Sequence, residues 1–307
     1  MIVFPINVGL NGSSKYNRYA KSFINAIERD ASPTLLTTKE KTDINTLIVA
    51  LLEINALDPL YFRPDNPAIS KRIWLYPYIN STATAHKYNL VNPLDTDAAG
   101  RLIFTDITHS DGKITPDNAS TSSAYASLNA NDHITANDHG FLSFIDSDDF
   151  SGSTEFGIYT SSTSQLRLRC TGTTMTAFSC GTLSIAYTTN TAKGWWHLNR
   201  TAVNNGKLYK NGAQVATSSV SNTGILPTTR VSFLGAPQSL TGTLKASIFG
   251  GGGLSVSAEV LAEENRVIQN FCEAQGRLFF LNNILYWVDE NEEYLLDENN
   301  KYISIWV

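Results

Sequence analysis

Gly206-Lys-Leu-Tyr-Lys-Asn-Gly-Ala-Gln-Val-Ala-Thr217 decides the fold class. Asn211-Gly212 tolerates positive φ at two successive positions, so it closes a two-residue hairpin whose twist matches the strands on either side. Leu208 and Val215 then share a face. Upstream lies a strand-forming run with Trp195, Trp196 and Leu198, and downstream come Arg230-Val-Ser-Phe-Leu234 and Gly242-Thr-Leu-Lys-Ala-Ser-Ile-Phe249, with short polar turns between. That succession describes an antiparallel sheet protein and not a doubly wound one.

Working outward, the chain from about 70 to 253 reads as short β segments divided by Gly, Ser, Thr, Asn and Asp clusters. The expected strands are Lys71–Ile79, Gly100–Asp106, Ser123–Asn129, Gly140–Ser147, Glu155–Ser161 and Gln165–Cys170. They continue with Leu183–Thr189, Trp195–Thr201, Lys207–Asn211, Gln214–Ser218, Arg230–Gly235 and Leu244–Gly250. Their number and spacing predict an antiparallel two-sheet jelly-roll sandwich.

Helical periodicity flanks this region. Tyr16, Tyr19, Ala20, Phe23, Ile24 and Ile27 line one face of a helix over 15–28 capped by Ser13 or Ser14. Thr37 with Glu40 makes a capping box for a second helix over 39–55, whose stripe is Ile44, Leu47, Ile48 and Leu51. Two such helices make a poor core alone, so they must pack on the sandwich or on a neighbouring subunit. A third helix begins at Ser257 and carries Val260, Val267, Ile268 and Phe271. Beyond it, Val288-Asp-Glu-Asn-Glu-Glu-Tyr-Leu295 and Leu296-Asp-Glu-Asn-Asn-Lys-Tyr-Ile303 repeat with period eight and predict a β-meander. Three regions follow: a helical attachment segment (1–68), the sandwich with its closing helix (69–276) and a C-terminal appendage (277–307).

Composition narrows the function classes. The 307 residues are 42% apolar and 17% charged, with a formal net charge of -5. No basic stripe exists, which argues against a nucleic-acid partner. The N-terminus lacks the features of a signal peptide, and no run reaches the ~20 apolar residues of a membrane span. Cys170, Cys180 and Cys272 are too few for a disulfide framework; Cys170 and Cys180 could face each other across a hairpin, but free buried thiols are the preferred reading.

Several separated motifs resemble one family. The front half is carried by Thr42–Leu57 (TDINTLIVALLEINAL), Arg72–Leu90, Asn92–Phe104 and Thr108–Ser120. The back half is carried by Lys207–Thr217, Thr241–Ser255 and Ser257–Arg277. In that order they are similar to bacteriophage virion proteins with a laminin-G-like, concanavalin A-like jelly roll. The resemblance covers roughly 40–276 and implies a structural protein of a tailed phage: a tail or other surface component, made in the host cytoplasm and built into the virion. It implies other virion proteins as partners, a homo-oligomer, and contact with a host surface glycan.

Catalysis and metal binding are weighed against their absence. Glycoside hydrolysis needs two carboxyl groups flanking the scissile bond. Between Ile54 and Ala258 the chain has one glutamate, Glu155, so a two-glutamate retaining site cannot be built there and no enzyme is expected. A polysaccharide hydrolase is the third reading, behind a structural virion protein and a glycan-binding receptor module. Asp132-His133 and Asp138-His139 form two Asp-His pairs that could ligate a transition metal or calcium, although a polar loop is preferred and no cofactor is expected. His86, His109 and His197 stand isolated. Trp195 and Trp196 point to opposite faces of a strand, so at most one lies in the core; the other stacks on a glycan or packs beneath the helices. Tyr294, Tyr302 and Trp306 are further candidates for glycan or partner contact. Gly250–Gly253 reads as the joint between a strand and a capped helix, since no phosphate-loop Lys follows.

Overall fold

The computed structural model describes residues 15–30, 36–57, 72–93, 100–117, 122–127, 132–146, 153–161, 164–180, 183–221, 224–226, 231–234, 247–277, 285–286 and 304–305. Helices α1 (Arg18–Asp30) and α2 (Thr38–Glu53) come first, then strand β1 (Arg72–Pro77) and the short α3 (Ala83–His86). The strands continue with β2 (Leu102–Thr105), β3 (Ile107–Ser110), β4 (Lys113–Pro116), β5 (Ser123–Ala126), β6 (His139–Ile145), β7 (Ser153–Ser161) and β8 (Ser164–Thr171). Next are β9 (Thr174–Ser179), β10 (Leu183–Thr188), β11 (Gly194–Ala202), β12 (Asn205–Lys210), β13 (Ala213–Ser218), β14 (Val231–Leu234) and β15 (Ser247–Gly253). Helix α4 (Ala258–Ala274) and the two-residue strands β16 (Leu285–Tyr286) and β17 (Ser304–Ile305) complete the chain order.

The architecture is the antiparallel jelly-roll sandwich, with an N-terminal helical segment. Sheet A runs β13-β12-β11-β6-β15-β4-β3, with β1 also on β15; sheet B runs β10-β9-β8-β7-β14-β5-β2. Alternate residues of both sheets, among them Trp74, Phe141, Trp196, Leu198, Leu166, Leu168, Met175 and Ile185, form the core between them. The hairpin at Asn211-Gly212 has φ of 51° and 81°, the double positive turn its sequence predicts. Asn211 does more than turn: its Oδ1 accepts the Trp195 N–H at 2.9 Å and its own N–H donates to the Trp195 carbonyl at 2.8 Å, tying the turn to β11.

A second apolar cluster lies on the far side of sheet A. Tyr19, Phe23, Ile24 and Ile27 of α1, Ile44, Leu47, Ile48 and Leu51 of α2, and Val267, Ile268 and Phe271 of α4 pack with Leu75, Leu142, Phe144, Trp195 and Phe249 of the sheet. Of the two platforms open to the helices, the sandwich is the one they use. The capping box at Thr37 and Glu40 is present, with the Thr37 N–H donating to the Glu40 carboxylate at 2.6 Å. Helix α1 begins later than the periodicity suggests, and Asn17 Oδ1 caps it by accepting the Tyr19 N–H at 2.9 Å; Ser13 and Ser14 lie outside the described residues.

Three features depart from the expectation. Strands β3, β4 and β9 fall where no strand is predicted, and Asp111-Gly112, with φ of 43° and 67°, closes the β3–β4 hairpin. Gly250–Gly253 is not a joint but the second half of β15, paired with β1 on one side and β6 on the other. The reason is close approach: a Cβ on Gly252 would meet the Trp74 indole nitrogen at 2.5 Å, and one on Gly251 would meet Leu75 Cδ2 at 2.5 Å. Cys170, Cys180 and Cys272 are free and buried. Cys180 stands opposite Gln165, at the far end of β8 from Cys170, so those two cannot bridge. The period-eight repeat lies outside the described residues, although the segments flanking it meet, Leu285 opposite Ile305 and Tyr286 opposite Ser304.

Candidate functional site

The helices decide which face of the sandwich can meet a ligand. Helices α1, α2 and α4 occupy the outer face of sheet A, whereas no described helix packs on the outer face of sheet B. Strand registers assemble a continuous row there. Ile103 stands opposite Tyr125, Tyr125 opposite Ser232, Ser232 opposite Gly157, Gly157 opposite Arg167, Arg167 opposite Phe178, and Phe178 opposite Ser184. Their neighbours along each strand, such as Leu102, Ala124, Leu166, Ala177 and Ile185, point into the core, so the row belongs to the outer side of sheet B.

The row has two walls and a low middle. Gly157 at its centre is buried and so is Arg167, 7% exposed, whose guanidinium lies 4.7 Å from the centre of the half-buried Phe178 ring; Tyr125 stands half-buried on the other side. Three strand steps separate Tyr125 from Arg167, about 14 Å at ~4.8 Å per strand. Next to it runs a second row, Arg169, Thr176 and Ala186, and then Thr174 and Thr188. Half-buried rings and short hydroxyl side chains suit a ligand with apolar C–H faces and many hydroxyls. Among the outer-face residues of sheet B whose side chains are described, none is Asp or Glu. Glu155 takes the bulge position between Thr154 and Phe156.

The residues singled out in the sequence are dispersed. Trp196 is 0% exposed in the inter-sheet core, its indole N–H donating to the Ala192 carbonyl at 2.8 Å. Trp195 is 3% exposed beneath the helices, stacked with Phe144 and Phe249. Neither ring offers a face to a glycan, which corrects their place as contact candidates: alternation sends one inward, and the helices cover the other. Asp132, His133, Asp138 and His139 do not converge either. His133 meets the edge of Trp74 at 6.3 Å, and Asp138 accepts the N–H and the hydroxyl of Ser255 at 2.9 and 2.6 Å. Among the described residues no three His, Cys, Asp or Glu side chains gather as a metal site. Tyr294, Tyr302 and Trp306 lie outside the described residues.

Histidines form polar networks that the linear sequence hides. His139 is fully buried; the Thr135 carbonyl at 2.9 Å from Nδ1 can only accept, so Nδ1 carries the proton and Nε2 accepts from Ser179 at 2.8 Å. Ser179 in turn accepts from Arg200 at 3.1 Å. His86 and His109, 23 positions apart, face each other through Nδ1 at 2.9 Å, and the Asn80 carbonyl lies 2.9 Å from His86 Nε2. Burial drives His86 down to about 3, against the Asn80 carbonyl, which favours the charged ring. Burial likewise takes His139 down to about 4 and holds His109 and His197 below the usual histidine range. Beneath α4, Arg72 and Glu264 form a buried pair, Nε to Oε1 at 2.6 Å with a second contact from Nη2 to Oε2. These groups hold elements together and face no cleft. A hollow of about 120 Å³ between α2 and α4, lined by Leu47, Ala50, Val267 and Phe271, falls short of the ~300–1,000 Å³ of a small-molecule site.

No family model matches the chain, and no curated protein does. Solved structures similar to it include a botulinum neurotoxin type G receptor-binding domain, 12% identical with a TM-score of 0.44, the match covering 73% of this chain and 58% of that one. A Trypanosoma rangeli sialidase is 9% identical with a TM-score of 0.46; this chain spans 38% of its length. Domain 4 of AbnA, an extracellular GH43 arabinanase from Geobacillus stearothermophilus solved with arabinotriose, is 11% identical with a TM-score of 0.43, covering 64% of this chain and 98% of that domain.

Proposed function

We propose that the chain is a non-catalytic recognition module that lays the outer face of sheet B on a glycan. The observation that carries this reading is the asymmetry of the sandwich: three helices occupy one outer face, while the other bears the half-buried rings of Tyr125 and Phe178 on either side of the buried Gly157 and Arg167. Ring faces stack on sugar C–H surfaces, and Tyr125 and Phe178 are the rings the row leaves half-exposed. The sequence resemblance supplies the setting, a surface-exposed tail or other structural component of a tailed-phage virion, with host contact as the sandwich's task.

A glycan array probed with the full chain tests the binding role. Phe178→Ala and Tyr125→Ala are each expected to weaken a positive signal at least tenfold, while Arg266→Ala, on the exposed side of α4, leaves it unchanged. An array without hits, or hits indifferent to both wall substitutions, overturns the reading. Antibody against this chain should label phage particles in micrographs; unlabelled particles would remove the virion setting and leave the binding role standing.

A further inference from the structure

We infer that the chain pairs with a second copy of itself through the free edge of β10. This strand ends sheet B and is bonded on one side only, to β9. Its ladder is straight, with six successive register pairs from Leu183 opposite Ser179 to Thr188 opposite Thr174 and no shift. Thr189 extends it, donating to the directly opposed Thr173 at 2.9 Å. In an antiparallel ladder the bonded pairs fall on every second residue. Odd-numbered residues therefore face β9, and Ser184, Ala186 and Thr188 aim their N–H and C=O off the sheet.

All three residues are exposed, and among the described residues no strand is hydrogen-bonded on that side, although β13 and β12 of sheet A pass close to β10. Leu183–Thr188 contains no charge, no proline and no bulge, the devices by which edge strands normally refuse partners. The other edges have such devices. The side of β1 away from β15 is covered by Asn89, which accepts the Leu75 N–H at 2.9 Å and donates to the Ile73 carbonyl at 3.0 Å. Strand β2 has four residues, and its Leu102 N–H is taken by the Lys87 carbonyl at 2.8 Å. Strand β3 also has four residues, and β13 is broken by a bulge at Val215, which is skipped between Leu208–Ala216 and Tyr209–Gln214.

The edge is complementary to itself. A twofold axis through Ala186 sets that residue against Ala186 of the second copy and Ser184 against Thr188 of the second copy, closing about six main-chain hydrogen bonds. The side chains meeting on the outer face are then Ser, Ala and Thr, too small to clash and able to bond across the pair. On the inner side Ile185 meets Tyr187 of the second copy, extending the apolar layer. One edge per copy is used, so the assembly closes as a dimer. It also brings two outer faces of sheet B into one continuous surface, although the dimer itself does not depend on the glycan reading.

Light scattering on the eluting full chain tests this. Wild-type protein should show twice the mass of one chain and dissociate on dilution. Ala186→Lys and Ala186→Glu each set like charges against each other at the axis and should weaken self-association at least tenfold, while their melting temperatures match that of wild-type protein diluted to monomer. An equimolar mixture of the two should restore the dimer. Ala186→Pro, which deletes only an outward N–H, should dissociate it as well. A wild-type chain that stays monomeric, a dimer that survives Ala186→Lys, a lysine and glutamate mixture that fails to reassociate, or a monomer that captures an extended peptide on β10 instead would each overturn the inference.

Discussion

Acidification from pH 7 to pH 5 should remove about 4 kcal/mol of folding stability through two histidines alone. His86 and His139 are 1% and 0% exposed, and burial lowers them to about 3 and about 4. A folded-state value below the unfolded one means that the unfolded chain binds more protons, so stability is complete above the unfolded value of ~6.5 and falls as pH drops beneath it. At pH 5 both rings remain neutral in the folded protein, whereas each gains a proton on unfolding; 1.5 units at ~1.36 kcal/mol per unit is about 2 kcal/mol for each. The surroundings oppose charging. His86 faces His109, Tyr78 and Arg277, and His139 faces Arg200 through Ser179, with Asp138 as the nearby counter-charge. Asp30 does not mask the effect: the Lys87 and Tyr88 hydrogen bonds hold it down to about 2, so its contribution is lost only below pH 4. Urea unfolding followed by tryptophan fluorescence at pH 7, 6 and 5 measures the loss. His139→Gln should cut the difference between pH 7 and 5 by about 2 kcal/mol. A wild-type difference under ~1 kcal/mol would show that these rings take up protons without leaving their sites, refuting the networks drawn around them.

Two further outcomes concern the frame. Glu264→Gln leaves the Arg72 guanidinium buried without its counter-charge, and should cost about 3–5 kcal/mol, read as a lowered thermal midpoint; Arg72→Met with Glu264→Leu together should recover most of it. Gly212→Val places a β-branched residue at φ 81° and should cost about 1–3 kcal/mol by the same measurement. An unchanged midpoint would mean that the hairpin can shift to another turn.

Local chemistry was legible wherever a signal sat within a few residues. Asn211-Gly212, the Thr37–Glu40 box and the stripe from Val267 to Phe271 each rest on neighbours in sequence, and each occurs in the structure. Adjacent Trp195 and Trp196 had to part, and they do, one to each side of sheet A. What failed was long-range. His86 and His109 look isolated because α3 and β3 bring them together from different places. The cross-strand row of sheet B cannot be read without registers, since Tyr125 and Arg167 are 42 positions apart. Gly250–Gly253 misled because glycine opposes strand formation locally, and only Trp74, remote in sequence, explains its use. Asp111-Gly112 is itself a hairpin signal, but strands of four residues are too short for alternation to mark them.

The glycine strand also fixes when the molecule can be finished. Strand β15 lies between β1 and β6, and α1 and α2 rest on a platform that needs Phe249 and α4. About 200 residues separate the end of α2 at Glu53 from the start of α4 at Ala258, and a ribosome moving at ~5–20 residues per second needs roughly 10–40 s to make them. Through that interval Phe23, Ile27, Ile44 and Leu51 have each other but no sheet to cover them. Nascent chains are therefore most exposed to chaperones and to aggregation while most of the sandwich is already synthesised. Slower translation between β2 and β14 would lengthen that exposure without altering the finished protein.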